Sequence, residues 1–271
     1  MEQYFSGEKL YGDDFTIEQI EKWYKEESEA YSNLGSKDFE NYNYGYHVLN
    51  TKYGFNKIKH GNFNSVLGIG AAWGHELEPV IDKVKQVTIL EPSDLMKGNK
   101  IGEIKPVYVK PSVSGTMEFE NNSFDLITCF GALHHVPNVS HVLSEMIRVL
   151  KPGGHILMRE PIISMGDWRV NRSGLTKNER GIPVKIFDEI FHQHSMKVIS
   201  KHYCFTATSF LQLKLSKYLK TPLHSNSLYL WFDKYVSLLL KNKVKYHATK
   251  MTERIAPGSV FYVVQKKPAD N

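Results

Sequence analysis

The segment Ser65 to Glu76, SVLGIGAAWGHE, restricts the fold of this chain more than any other: an apolar, strand-like run ends in Gly70, Ala72 and Gly74, and a helix-like segment follows. Small residues at alternate positions after a strand let the backbone turn tightly and bring a ligand within van der Waals distance of main-chain atoms. The outline is that of a nucleotide or nucleoside pocket, although dinucleotide enzymes use a similar turn and a plain Gly-rich strand end fits the same letters. The next element narrows the choice. Lys85 to Glu91, KQVTILE, reads as a second buried parallel strand closing on an acid. A carboxylate at that tip can accept two hydrogen bonds from the vicinal hydroxyls of a ribose, which makes Glu91 the first candidate ligand.

From Asn122 to Pro161 the chain reads NSFDLITCFGALHHVPNVSHVLSEMIRVLKPGGHILMREP. It contains a strand over Phe124 to Phe130, a helix from about Val139 to Leu150, a Lys-Pro-Gly-Gly turn and a strand over His155 to Glu160. Val139, Val142, Leu143, Met146, Val149 and Leu150 recur at spacings of three and four, one apolar stripe to lay on a sheet. Arg148 and Lys151 fall in its last turn, where cations suit the helix dipole, and Pro152, Gly153 and Gly154 end it. In order and content these blocks resemble the class I S-adenosylmethionine-dependent methyltransferases, in which SFD, LHH, RVLKPGG and a Gly-rich first turn occur together. The likeness is close over Asn62 to Pro161 and loose elsewhere.

The resemblance implies an α/β, Rossmann-like fold with a mostly parallel seven-stranded sheet flanked by helices. It also implies S-adenosyl-L-methionine as cofactor and S-adenosyl-L-homocysteine as product. Cofactor contacts then fall on Gly68, Gly70, Ala72, Gly74, Glu91, Pro92 and Phe130. Two departures stand out. Where relatives carry an acid at the end of the first strand this chain has Gly68, and where they carry the middle glycine it has Ala72, whose methyl group is tolerated if its φ is negative. The stretch Ser112 to Phe119 also lacks the acid that relatives turn to the adenine amine. Backbone groups of Ser114 and Gly115, with Met117 as an apolar wall, are the candidate replacement.

A chain of 271 residues with 41% hydrophobic content can bury a full core. The expected division is an N-terminal helical and aromatic cap over 1–61 and a methyltransferase domain over 62–271. Two cysteines, Cys129 and Cys204, argue against a disulfide framework and for a reducing cytoplasm. No signal-like start and no membrane-spanning apolar run is present. Charge is uneven. Between Thr206 and Ala248 stand Lys214, Lys217, Lys220, Lys234, Lys241, Lys243 and Lys245 against Asp233 alone, +6, while the whole chain carries +5. This 206–248 segment, helix-like and apolar in Phe210, Leu213, Leu215 and Leu228 to Phe232, is expected as an insertion between a last strand pair, Met196 to Phe205 and Ser259 to Lys266. It reads as a cap or homo-oligomer element, a cradle for an anionic acceptor, or a peripheral membrane contact; nucleic acid is not expected.

Near the N-terminus, Thr16 with Gln19 forms a capping-box pattern opening a helix, and Tyr42, Tyr44 and Tyr46 follow, with Tyr46 a candidate lid residue. A sulfonium methyl is already electrophilic, so catalysis needs alignment of a nucleophile and, for a hydroxyl, removal of its proton. His134, Glu160 and Asp167 are the candidate bases at the carboxyl edge of the sheet. His192, His194 and His202 do not form a metal-ligand spacing, and no metal is expected. The outer blocks LYGDDFTIEQIEKWYKEE, AAWGHELEP and GIPVKIFDEIF resemble methyltransferases of bacterial surface-polysaccharide assembly. That implies a sugar or sugar-phosphate oxygen as acceptor. A small-molecule or lipid-intermediate methyltransferase, a non-catalytic scaffold and a nicotinamide-dependent dehydrogenase are the competing readings.

Overall fold

The computed structural model describes residues 1–34, 42–58, 61–206, 208, 211, 214, 218–219 and 221–268. Seven strands, β1 (Phe63–Ile69), β2 (Val84–Leu90), β3 (Val107–Val109), β4 (Phe124–Phe130), β5 (Leu150–Pro161), β6 (Lys197–Cys204) and β7 (Ser259–Gln265), form one sheet in the order β3-β2-β1-β4-β5-β7-β6. All neighbours are parallel except β7, which runs antiparallel to both β5 and β6. The Rossmann-like architecture expected from the sequence is present, and its chain order reverses between β1 and β4. In an open α/β sheet that reversal leaves a crevice at the carboxyl ends of the two strands.

Helices α1 (Glu2–Phe5), α2 (Ile17–Leu34), α3 (His47–Tyr53), α4 (Val139–Val149), α5 (Val184–Gln193) and α6 (Ser227–Leu240) surround the sheet. The apolar stripe of α4 is buried as its spacing required, packing with α5 and one sheet face into a core that includes Leu143, Met146, Ile156 and Phe187. Tyr53 and Leu49 of α3 join Phe261 and Leu126 in the core on the other face. The cations at the end of α4 do something other than expected. Arg148 turns back to Glu145 and to the carbonyls of Met117 and Phe119, and Lys151 pairs with Asp125. Lys266, from beyond β7, donates to the carbonyls of Ile147 and Leu150 and so closes the helix end.

Three local expectations change. The segment after Gly74 is a run of 3₁₀ turns over His75–Lys83, because Pro79 lies inside it and cannot donate to an α-helical ladder. Ala72 has φ of +46°, in the left-handed region, where a β-carbon costs about 1 kcal/mol. Its N–H donates to Glu91 and its carbonyl accepts from the Tyr108 hydroxyl, which hold the turn in place. Lys-Pro-Gly-Gly is part of β5, with a register shift opposite Phe124 to Leu126.

The helical insertion does lie between β6 and β7, and among its described residues α6 is turned inside out. Asp233 and Ser237 are buried, the Asp233 carboxylate accepting from the N–H groups of Phe205 and Thr206. Leu228, Trp231, Phe232, Tyr235, Leu238 and Leu239 are exposed along one face at helical spacing. Lys217, Lys220, Phe210, Leu213 and Leu215 lie outside the described residues. No helix among the described residues is long and apolar enough to cross a membrane.

Candidate functional site

At the β1/β4 crevice lies an open-mouthed cavity, and its walls follow the chain order of the sequence argument. Ile69 and Gly70 end β1, Leu90 and Pro92 flank the tip of β2, and Gly131 and Ala132 follow β4. Gly70 takes φ of +59°, and a β-carbon there would come within 2.7 Å of the Ala132 methyl. Glycine is therefore required at this turn by both conformation and space.

Glu91 is buried at the tip of β2, with one carboxylate oxygen accepting from Ala72 N–H at 3.1 Å and the other from Ser93 N–H at 3.0 Å. Burial pushes its pKa up to about 7 against those two bonds. Each oxygen keeps a lone pair, enough for one vicinal diol. At the other end of the cavity Ser112, Val113, Gly115, Thr116 and Met117 form the wall expected for an adenine ring, and a β-carbon on Gly115 would clash with Val142. Ser114 is outside the lining, its carbonyl occupied by the Asn138 amide at 2.7 Å. The group that sequence reasoning missed is Asn138 itself. Its Nδ2 is spent on Ser114, which fixes the amide orientation, and leaves Oδ1 buried with no partner in the cavity wall. An orphan acceptor of this kind is costly unless a ligand donor meets it, and an exocyclic amine is such a donor. Pocket shape, diol acceptor and amine acceptor all fit S-adenosylmethionine.

The roof is also different from the expectation. Tyr46 does not line the cavity; Tyr24 and Glu27 of α2 do. Trp23 Nε1 donates to the carbonyl of His135 at 2.7 Å, and Glu27 bonds His135 Nδ1, Thr176 Oγ1 and Asn178 N–H, which clamps the helix over the loop after β4. Gly68, Ala72, Gly74, Glu91 and Phe130 are likewise outside the lining: β-carbons on the two glycines would strike Ala71 and Ile101, Ala72 and Glu91 bond each other behind the wall, and Phe130 packs against Phe55 and Phe261.

Comparison with known proteins points the same way. Residues 67–158, from β1 to β5 and including the crevice walls that follow β1, β2 and β4, match the methyltransferase domain family. A demethylmenaquinone methyltransferase of Bacillus cereus is 40% identical over 58 residues, 21% of this chain and 24% of that protein, so the match spans about a quarter of the curated relative. A Bacillus halodurans protein classed as a methyltransferase superposes with a TM-score of 0.52 at 20% identity, covering 80% of this chain and 98% of its own. An N-methyltransferase of Bradyrhizobium japonicum, solved with S-adenosyl-L-homocysteine, gives 0.51 at 12% identity over 89% and 98%. At these identities the structures establish the fold alone.

The three candidate bases have other duties. Glu160 is fully buried, one oxygen accepting from the N–H groups of Ala132 and Leu133 and the other bonded to His134 Nδ1 at 2.8 Å. Burial would raise its pKa, but His134 and those donors hold it below the usual carboxylate range. His134 has Glu160 on Nδ1 and Glu179 on Nε2 at 3.5 Å; burial alone would push the imidazole down, and the two carboxylates outweigh it and hold it up at about 9. Imidazolium locked between two carboxylates is a structural cation and has no lone pair for a substrate proton. Asp167 sits on a loop outside the cavity lining, in a bidentate pair with Arg169. The histidine that reaches the cavity is His135.

The His134 ion pairs imply a pH dependence of known sign. A raised histidine pKa adds stability that is complete below the ordinary value of 6.5 and is lost as pH rises through about 9. Thermal denaturation of the wild type should therefore decline across that interval more steeply than that of His134→Gln, which should be the less stable at neutral pH by about 3 kcal/mol.

Proposed function

We propose that the protein transfers the methyl group of S-adenosylmethionine to an oxygen of a small acceptor. What supports this reading is the orphan Oδ1 of Asn138, an amine acceptor on the wall of an apolar cavity, together with the Glu91 carboxylate, which lies buried at the strand tip between the lining residues Leu90 and Pro92. Titration calorimetry with S-adenosylmethionine and S-adenosylhomocysteine, against a reduced nicotinamide dinucleotide, tests it. Micromolar binding of the sulfur nucleosides is expected, and selective binding of the dinucleotide would replace this reading with a dehydrogenase. Binding with no turnover on any acceptor panel would instead favour the scaffold.

A sugar or sugar phosphate is the acceptor class we favour, supported by the outer sequence blocks and by the lysines of the insertion. The second reading, a lipid-linked or apolar acceptor, draws support from α6. Its outward stripe of Trp231, Phe232, Tyr235 and three leucines is followed by exposed Lys241 and Lys243, the composition of a helix that lies on an anionic bilayer surface. Flotation with vesicles containing phosphatidylglycerol should carry the wild type upward, and Trp231→Ser with Leu239→Ser should leave it at the bottom. Equal recovery of both proteins would discard the membrane contact.

A further inference from the structure

Arg159 is an arginine in the wrong company for a structural residue. It stands on β5 one position before Glu160, so strand alternation sends it to the opposite face from the His134 network, toward α3 and the insertion. The residue is 9% exposed, no carboxylate of the described residues lies within ion-pairing distance, and its Nε is buried with no partner. Its guanidinium carbon sits 3.9 Å from the centroid of Tyr46 and 5.7 Å from that of Phe205. The other face of Tyr46 stacks on His224 at 4.2 Å and 6°. Burial and the nearby guanidinium push His224 down to about 4, so no second cation competes there at neutral pH.

An arginine desolvated in this way, held by ring faces and with the buried Glu76 carboxylate near enough to feel its charge but not in ion-pairing contact, can receive a planar or tetrahedral oxyanion. Two further polar atoms nearby are buried and unpartnered: Nε2 of His224, stacked on Tyr46, and Oδ1 of Asn50, whose amide bonds Tyr44 beside Tyr46. This cluster borders the cavity wall: a β-carbon on Gly131, a lining residue, would lie 3.8 Å from Arg159 Nη2, so the missing side chain leaves the guanidinium close behind that wall. We propose that Arg159, framed by Tyr46, His224 and Phe205, is an oxyanion subsite that seats a carboxylate or phosphate group of the methyl acceptor beside the cofactor. This deepens the methyltransferase reading and rests on it for the word acceptor.

The same chemistry could be met by the amino-acid carboxylate of the cofactor, and the experiment separates the two sources. Inorganic phosphate is titrated by calorimetry into the wild type, Arg159→Met and Arg159→Lys, each with and without saturating S-adenosylhomocysteine; S-adenosylhomocysteine and methylthioadenosine, which lacks the carboxylate, are titrated separately. The expected result is millimolar phosphate binding to the loaded wild type, weakened at least tenfold in Arg159→Met and partly kept in Arg159→Lys, with S-adenosylhomocysteine affinity changed less than twofold. Loss of S-adenosylhomocysteine affinity in Arg159→Met with methylthioadenosine unaffected would assign the arginine to the cofactor and overturn the proposal. So would phosphate binding that is absent from the wild type or indifferent to the substitution. Should S-adenosylhomocysteine fail to bind even the wild type, the methyltransferase reading falls, while phosphate binding to the unloaded protein still reports on the subsite. Near-UV circular dichroism of both variants verifies the fold.

Discussion

Glu91→Gln should weaken S-adenosylhomocysteine binding by about 100-fold, the loss of two hydrogen bonds to a charged acceptor at about 1.5 kcal/mol each. The amide keeps the volume of the carboxylate and can still accept from one of the two N–H groups, Ala72 or Ser93, that Glu91 now serves. Its other end would present N–H donors to the diol, so the loss falls on the ligand more than on the fold. A pH signature accompanies the loss. Burial holds the free-state pKa near 7, and two hydroxyl donors favour the ionised form, so ligation must pull that pKa down and release a proton. Affinity is then greatest above pH 7 and declines as pH falls through that value, and binding heat depends on the ionisation enthalpy of the buffer. Glu76, also buried and near 7, is the other group able to give such a signal. Because Glu91→Gln should abolish the proton release, calorimetry on the variant in two buffers tells the two acids apart; undiminished release would point to Glu76.

Arg180→Met should destabilise the protein by about 4 kcal/mol and lower its melting temperature by about 10 °C. Arg180 is fully buried, and its guanidinium donates to the carbonyls of Tyr11, His134 and Pro137 while lying 5.1 Å from the Trp23 ring. Methionine fills most of the volume and satisfies neither the Tyr11 nor the Pro137 carbonyl, both in a water-poor setting, while the His134 carbonyl keeps only the backbone N–H of residue 180. These carbonyls belong to the N-terminal segment and to the loop after β4, so the arginine ties the roof of the cavity to its wall. Differential scanning calorimetry checks the magnitude. A change below 1 kcal/mol would mean that water replaces the arginine at all three positions.

The parts of this molecule that were legible in its sequence are those set by short-range patterning. Apolar runs ending in glycine marked β1 and β4, an apolar run closing on an acid marked β2, the three-and-four spacing marked α4, and the gap between β6 and β7 marked the insertion. Glu91 was legible because a strand placed it. Residues whose meaning depends on a distant partner were not. Asn138 looks like an ordinary N-cap until its amide is seen to be fixed by Ser114. His134 and His135 look alike as letters, and only Glu160 and Glu179 on one ring and Glu27 on the other divide a locked cation from a neutral imidazole at the cavity. Burial pushes His135 down, and its charged neighbour His134 adds to the effect. One signal was present and passed over: Arg159 follows the apolar run Ile156 to Met158 on a central strand, where a charge has no reason to be unless something meets it. The stripe on α6 was readable too, but periodicity says only that a face is apolar and not which way it turns.

The clamp on α2 separates how tightly a nucleoside is held from how long it stays. Trp23, and Glu27 through Thr176 and Asn178, fasten the helix to the loops around the cavity through protein–protein contacts, and those contacts set how often the roof lifts. For a bound nucleoside whose exit requires the roof to lift, the dissociation rate belongs to the N-terminal helix while the equilibrium constant belongs to the cavity wall. That helix lies outside the methyltransferase family match, which begins at Leu67.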